Sequence, residues 1–161
     1  MRSLTAFLAI ILFVSCNFSK GVKKDLTTGL STSYNGFSVD DIYLTDGAGN
    51  KLGSNKIKLG SKVELFATGV GNYGVKDGKV YPGCQILLTD KKTGAEILNL
   101  PDAFADLKDG KNKTEASVLK AYLTTGDPMQ VGSTYHLKTR FFDKNKVENQ
   151  IVSDVDLLVE N

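Results

Sequence analysis

The sequence predicts an all-β fold, an antiparallel β-sandwich of seven or eight short strands, and two observations carry that expectation. Apolar residues recur at every second position in short runs, the period of a strand with one buried face. Clusters of Gly, Asn and Asp separate these runs at near-regular intervals, as turns between antiparallel strands do.

Taken in order, residues 37–44 form the first strand pattern, closed by Asp46-Gly47-Ala48-Gly49-Asn50. Residues 62–70 place Val63, Leu65 and Ala67 on one face, and Asn72-Tyr73-Gly74 and Asp77-Gly78 mark turns. Residues 80–89 follow, ended by Asp90-Lys91-Lys92-Thr93-Gly94, with a short strand at 95–98. In residues 114–124, Val118, Lys120 and Tyr122 alternate with Leu119, Ala121 and Leu123. The clearest signal is the last hairpin. Tyr135, Leu137, Thr139 and Phe141 alternate with His136, Lys138 and Arg140. Its partner strand sets Val147, Ile151, Val155, Leu157 and Val159 on one face. Asp143-Lys144-Asn145 makes the expected connection, so Arg140 should oppose Glu148 or Gln150, and His136 should oppose Val152 or Asp154. Pro101 with Asp102, Phe104 and Leu107 suggests one short helical turn near 101–107. This organisation resembles the immunoglobulin and fibronectin sandwiches in architecture. The sequence has no Trp and only Cys16 and Cys84, which does not support a true immunoglobulin domain, and the resemblance implies no activity.

The N-terminus carries a different signal. Arg2 precedes an apolar stretch from Leu4 to Val14 broken only by Thr5. As a helix it would reach roughly 16 Å, about half a bilayer core, which suits a signal peptide better than a membrane span. A buried core helix would show a polar face, and this segment shows none. Phe13-Val14-Ser15-Cys16 then resembles the bacterial lipobox, with Phe13 departing from the usual Leu. That resemblance implies removal of residues 1–15, a lipid on the Cys16 thiol and usually an acylated α-amine. Two or three acyl chains hold a protein firmly to a membrane, where one is marginal. Asn17 stands where Asp signals inner-membrane retention in some bacteria, so the resemblance favours the outer membrane of the cell envelope. Ser, Thr, Gly and Lys dominate residues 17–35, which suggests that 16–35 is a flexible lipidated tether. Such a tether would hold the 36–161 domain on the order of 25 Å from the lipid.

Composition excludes some partners. A formal charge of +2 gives no footprint for nucleic acid, and Arg2 and Arg140 are the only arginines. With lipid on Cys16, Cys84 has no disulfide partner and reads as a small buried hydrophobe. The only His, His136, lies far from Cys84 in sequence, so no nucleophile–base pair assembles and no enzyme is expected. Asp143 to Glu148 is faintly like a calcium loop but lacks its glycine and distal glutamate. Residues 69–74 are glycine-rich without a following helix, so neither metal nor phosphate cofactor is expected.

What remains is binding. Tyr73 and Tyr81 flank a hairpin tip and offer a candidate surface for carbohydrate or peptide, with cross-strand packing as the plainer explanation. The leading expectation is a non-enzymatic binding or adaptor domain tethered to a membrane through Cys16, with an envelope protein or polysaccharide as partner. The alternative is a carrier of a small apolar ligand between the sheets, which needs a chamber lined by residues such as Phe66, Leu119 and Phe141.

Overall fold

The alternating C-terminal hairpin lies at the centre of the molecule. The computed structural model describes residues 19–161, so Cys16 and the leader lie outside the described residues. The described residues form β1 (Lys20–Lys24), β2 (Ser31–Asn35), β3 (Asp41–Asp46), β4 (Lys56–Lys58), β5 (Lys62–Thr68), β6 (Pro82–Asp90), β7 (Glu96–Leu100), β8 (Val118–Thr124), β9 (Thr134–Asp143) and β10 (Gln150–Glu160). The larger sheet has seven strands, ordered β1-β2-β10-β9-β6-β7, with β4 also paired to β10. The smaller sheet has three, ordered β3-β5-β8. The chain changes sheet at every step from β2 to β6, and again between β7 and β8 and between β8 and β9. This is the β-sandwich that the alternation predicts.

The core follows directly from the alternation. Val63, Leu65 and Ala67 of β5 and Leu119, Ala121 and Leu123 of β8 face Ile86 and Leu88 of β6 and Tyr135, Leu137 and Phe141 of β9, all buried. β10 adds Ile151, Val155, Leu157 and Val159. Packing fills the space between the sheets. The void bounded by Val63, Leu65, Ile86 and Leu137 is about 10 Å³, room for at most one water. Phe66 points out of the sandwich, stacked on Tyr43, while Leu119 and Phe141 are buried in the core.

Three expectations need correction. The first is the tether. From Lys20 onward residues 16–35 are a hairpin: β2 pairs antiparallel with β10, and β1 extends the sheet beyond it. Its turn is built by Asp25, whose carboxylate accepts from the Thr27 N–H at 2.9 Å and the Thr28 hydroxyl at 2.7 Å, while Gly29 turns at φ +76°. Leu30 is buried in the core and Thr32 shares a buried 2.8 Å hydrogen bond with Ser153 of β10. Polar composition disguised these strands because hydroxyl side chains satisfy each other at the sheet.

The second correction is the register of the last hairpin. The connection is not three residues but 144–149, closed by the Asp143 N–H donating to the Asn149 carbonyl at 3.2 Å. His136 therefore opposes Asp156, Arg140 opposes Val152, and Val147 leaves the strand for the exposed loop. The third is the helical turn. Residues 101–107 make two separate turns, Ala105 to Asp102 and Leu107 to Phe104, and the one 3₁₀ turn among the described residues is Glu115–Ser117.

If residues 20–35 belong to the fold, Leu30→Ala should cost about 2–5 kcal/mol in denaturant unfolding, the usual cost of emptying a buried leucine site. In a flexible tether the same change would stay within about 0.5 kcal/mol.

Candidate functional site

Tyr73 and Tyr81 are both half-buried. Tyr73 packs edge-on against Phe37 at 4.8 Å between ring centroids, and its hydroxyl donates to the Ala116 carbonyl at 2.8 Å. Burial, with the nearby Asp143 carboxylate, raises its pKa above the ordinary value. Tyr81 is half-buried where the 101–113 loop crosses at Gly110. Tyr73 is thus a packing residue. It braces the loop end of the sandwich.

That end is held by buried polar groups. Asp143 accepts from the Gly74 N–H at 2.6 Å and from the Asn145 N–H at 2.9 Å, so backbone donors use the carboxylate that a calcium loop would need. Buried Asn149 donates to the Asn72 carbonyl at 2.6 Å, with Gly36 against it at φ +75°. A Cβ on Gly36 would fall 2.0 Å from Asn149 Oδ1. Asp102 ties down the 101–113 loop. It accepts from the Cys84 N–H at 3.0 Å and the Phe104 N–H at 2.9 Å, and pairs with Lys144 at 2.6 Å. Cys84 itself is buried, and burial, helped by Asp102, pushes its thiol up to about 12, so it is an inert core residue.

His136 lies on the outer face of the larger sheet between two carboxylates. Its Nε2 is 3.3 Å from Asp154, and its Nδ1 is 2.9 Å from Asp156, which also pairs with Lys91. The ring nitrogens meet separate cross-strand partners, and an ion network accounts for the arrangement.

The outer face of the smaller sheet is different. Tyr43, Phe66 and Lys120 stand in one row across β3, β5 and β8, and Thr45, Glu64 and Tyr122 in the next. Tyr43 and Phe66 stack at 5.5 Å and 11°, and Tyr122 is 59% exposed. An ammonium lies over each ring: Lys51 over Tyr43 at 4.1 Å, Lys62 over Tyr122 at 4.5 Å and Lys120 over Phe66 at 5.6 Å. Glu64 lies between Lys62 at 2.7 Å and Lys120 at 3.4 Å. The Lys62 hydrogen bond and the Lys120 charge hold its carboxyl below the usual range. Aromatic and cation-rich, this face is a candidate contact surface among the described residues. The signal for it lay in the alternation: if Val63, Leu65 and Ala67 face inward, Glu64 and Phe66 must face outward.

Compared with known proteins, the chain matches no family model and no curated protein sequence. Among the described residues, no helix is long and apolar enough to cross a membrane.

Asp102 gives a pH prediction. Burial alone would raise its pKa, but Lys144 and the two N–H donors outweigh it and leave the value below the ordinary 3.8. A folded-state pKa below the unfolded one means that this stabilisation is present above about pH 4 and lost as acid titrates through the lowered value. Asp102→Asn should lower stability at neutral pH by about 1–3 kcal/mol. It should also flatten the acid limb of a stability–pH curve measured by denaturant unfolding.

Proposed function

We propose that this protein is a lipid-anchored, non-enzymatic binding module of the bacterial envelope, and that the outer face of the β3-β5-β8 sheet is its contact surface. The observation that carries the binding role is the cluster of Tyr43, Phe66 and Tyr122 on one sheet face, with a lysine over every ring. The lipid anchor rests on the lipobox-like Val14-Ser15-Cys16, and the envelope, with its outer membrane favoured, follows from that same resemblance.

The chemistry of the face favours a protein partner over a polysaccharide. A sugar stacks on an open ring face, and here each face is covered by an ammonium that it would have to displace. A protein surface with acidic side chains engages the ammoniums and the rings together, because Lys51, Lys62 and Lys120 offer charge while the exposed Tyr122 ring offers apolar area. The face flanks β3 and β8, both edges of the smaller sheet, so a partner has room to approach from the side.

Two measurements test this reading. Cys16→Ala should leave unprocessed precursor or soluble protein; continued labelling with radioactive palmitate would contradict the anchor. A photo-crosslinker replacing Tyr122 in intact cells should join the chain to a discrete protein band. Lys120→Glu should suppress that band severalfold while Lys138→Glu, on the opposite sheet, leaves it unchanged. Retention on purified envelope polysaccharide without any Lys120-sensitive band would overturn the protein-partner reading.

A further inference from the structure

The point where the chain leaves the described fold lies within one loop cluster. The Ser19 carbonyl accepts from the Gly36 N–H at 2.7 Å, Gly36 packs on Asn149, and Asn149 donates to the Asn72 carbonyl. Asn145 donates from its side chain to the Gly74 carbonyl at 3.3 Å, and Gly74 lies against Asn145 and Lys146. Ser19, the 71–79 loop and the 144–149 loop therefore form one continuous end of the sandwich.

That end carries exposed apolar residues. Lys76 and Lys79 exchange backbone hydrogen bonds of 2.9 Å around Asp77 at φ +52° and Gly78 at φ +74°, a tight hairpin tip with both central residues left-handed. Beside it Val75 is 48% exposed, and on the adjoining loop Val147 is 74% exposed. Around these valines Lys20, Lys76, Lys79 and Lys146 outnumber Asp77 and Glu148.

Covalent reach supplies the partner. Three peptide links separate Cys16 from Ser19, a span of at most about 11 Å. The headgroup layer is roughly 5–7 Å deep on each side of a bilayer. A lipid on Cys16 thus brings this end of the sandwich to the headgroups, far closer than a long tether would.

We propose that the 71–79 and 144–149 loops are seated on the anchoring membrane, with Val75 and Val147 among the headgroups and Lys20, Lys76, Lys79 and Lys146 facing anionic phospholipid. The proposal rests on the lipid-anchor reading of Cys16. It gives the domain a fixed attitude: the strands stand off the membrane and the aromatic sheet face turns sideways into the surrounding space. β6 starts at this end, and its nine residues carry the chain roughly 27 Å away, so the 91–94 turn marks the far pole.

The test uses the mature, lipidated chain reconstituted in vesicles of about three parts phosphatidylethanolamine to one part phosphatidylglycerol. An environment-sensitive fluorophore is attached in turn to Val75→Cys, Val147→Cys and Lys92→Cys; buried Cys84 does not compete. Lipids spin-labelled near the headgroup should quench the labels at 75 and 147 severalfold more than the label at 92. Replacing phosphatidylglycerol with neutral lipid should reduce that difference. Equal quenching at 147 and 92, with intact mass showing diacylglycerol on Cys16, would overturn the seating while leaving the anchor standing. An unmodified Cys16 in the mature chain would overturn both.

Discussion

Pairing of β10 on both its edges is the constraint on which the rest of the structure depends. One edge of this strand is matched by β9 from Gln150 to Leu158. The other is divided between antiparallel β2 at residues 150–154 and parallel β4 at residues 158–160. Every second side chain, from Ile151 to Val159, meets the core. An exposed β10 edge would leave a row of unpaired backbone donors and acceptors and invite pairing with another chain. The β1–β2 hairpin covers the first five residues of that edge and moves the free edge there outward to β1, where Lys20, Lys23 and Lys24 guard it. The N-terminal segment is therefore a structural element before it is a connector.

The loop end obeys a second constraint, the need to satisfy buried polar groups. Asp143 and Asn149 close the β9–β10 connection and reach across to the 72–74 backbone, and Asp102 fastens the neighbouring loop through Cys84, Phe104 and Lys144. A buried carboxylate without donors would cost several kcal/mol, so these contacts fix the loops in one arrangement. Tight fastening of this end, a short link to Cys16 and an aromatic face directed elsewhere divide the molecule, on the proposed reading, into a pole that attaches and a side that binds.

Much of this was legible in the sequence, and the failures have identifiable causes. β5, β8 and β9 declare themselves because their two faces differ sharply, as in Leu119, Ala121 and Leu123 against Val118, Lys120 and Tyr122. β1 and β2 did not, because Ser31, Thr32 and Ser33 look like linker and only pairing with Ser153 reveals Thr32 as interior. The β9–β10 register slipped because Asn149 has the parity of a core position and fills it with an amide that binds Asn72, which no periodicity rule reports. The aromatic face was half visible: Tyr122 was placed on the polar side of its strand, yet Phe66 was assigned to a chamber that its own neighbours, Leu65 and Ala67, exclude. Tyr73 and Tyr81 drew attention by lying near turns. Proximity in sequence to a turn does not settle which way a ring points.

The central claim is that residues 20–35 are part of the folded sheet and bring the domain to its anchor. Hydrogen exchange of the mature chain tests it most directly, because β2 is paired on both edges, by β1 and β10. The amides of Ser31–Asn35 should be protected to nearly the same degree as those of β9. Exchange at the rate of an unstructured chain across these residues would contradict the account and restore a flexible spacer between lipid and domain.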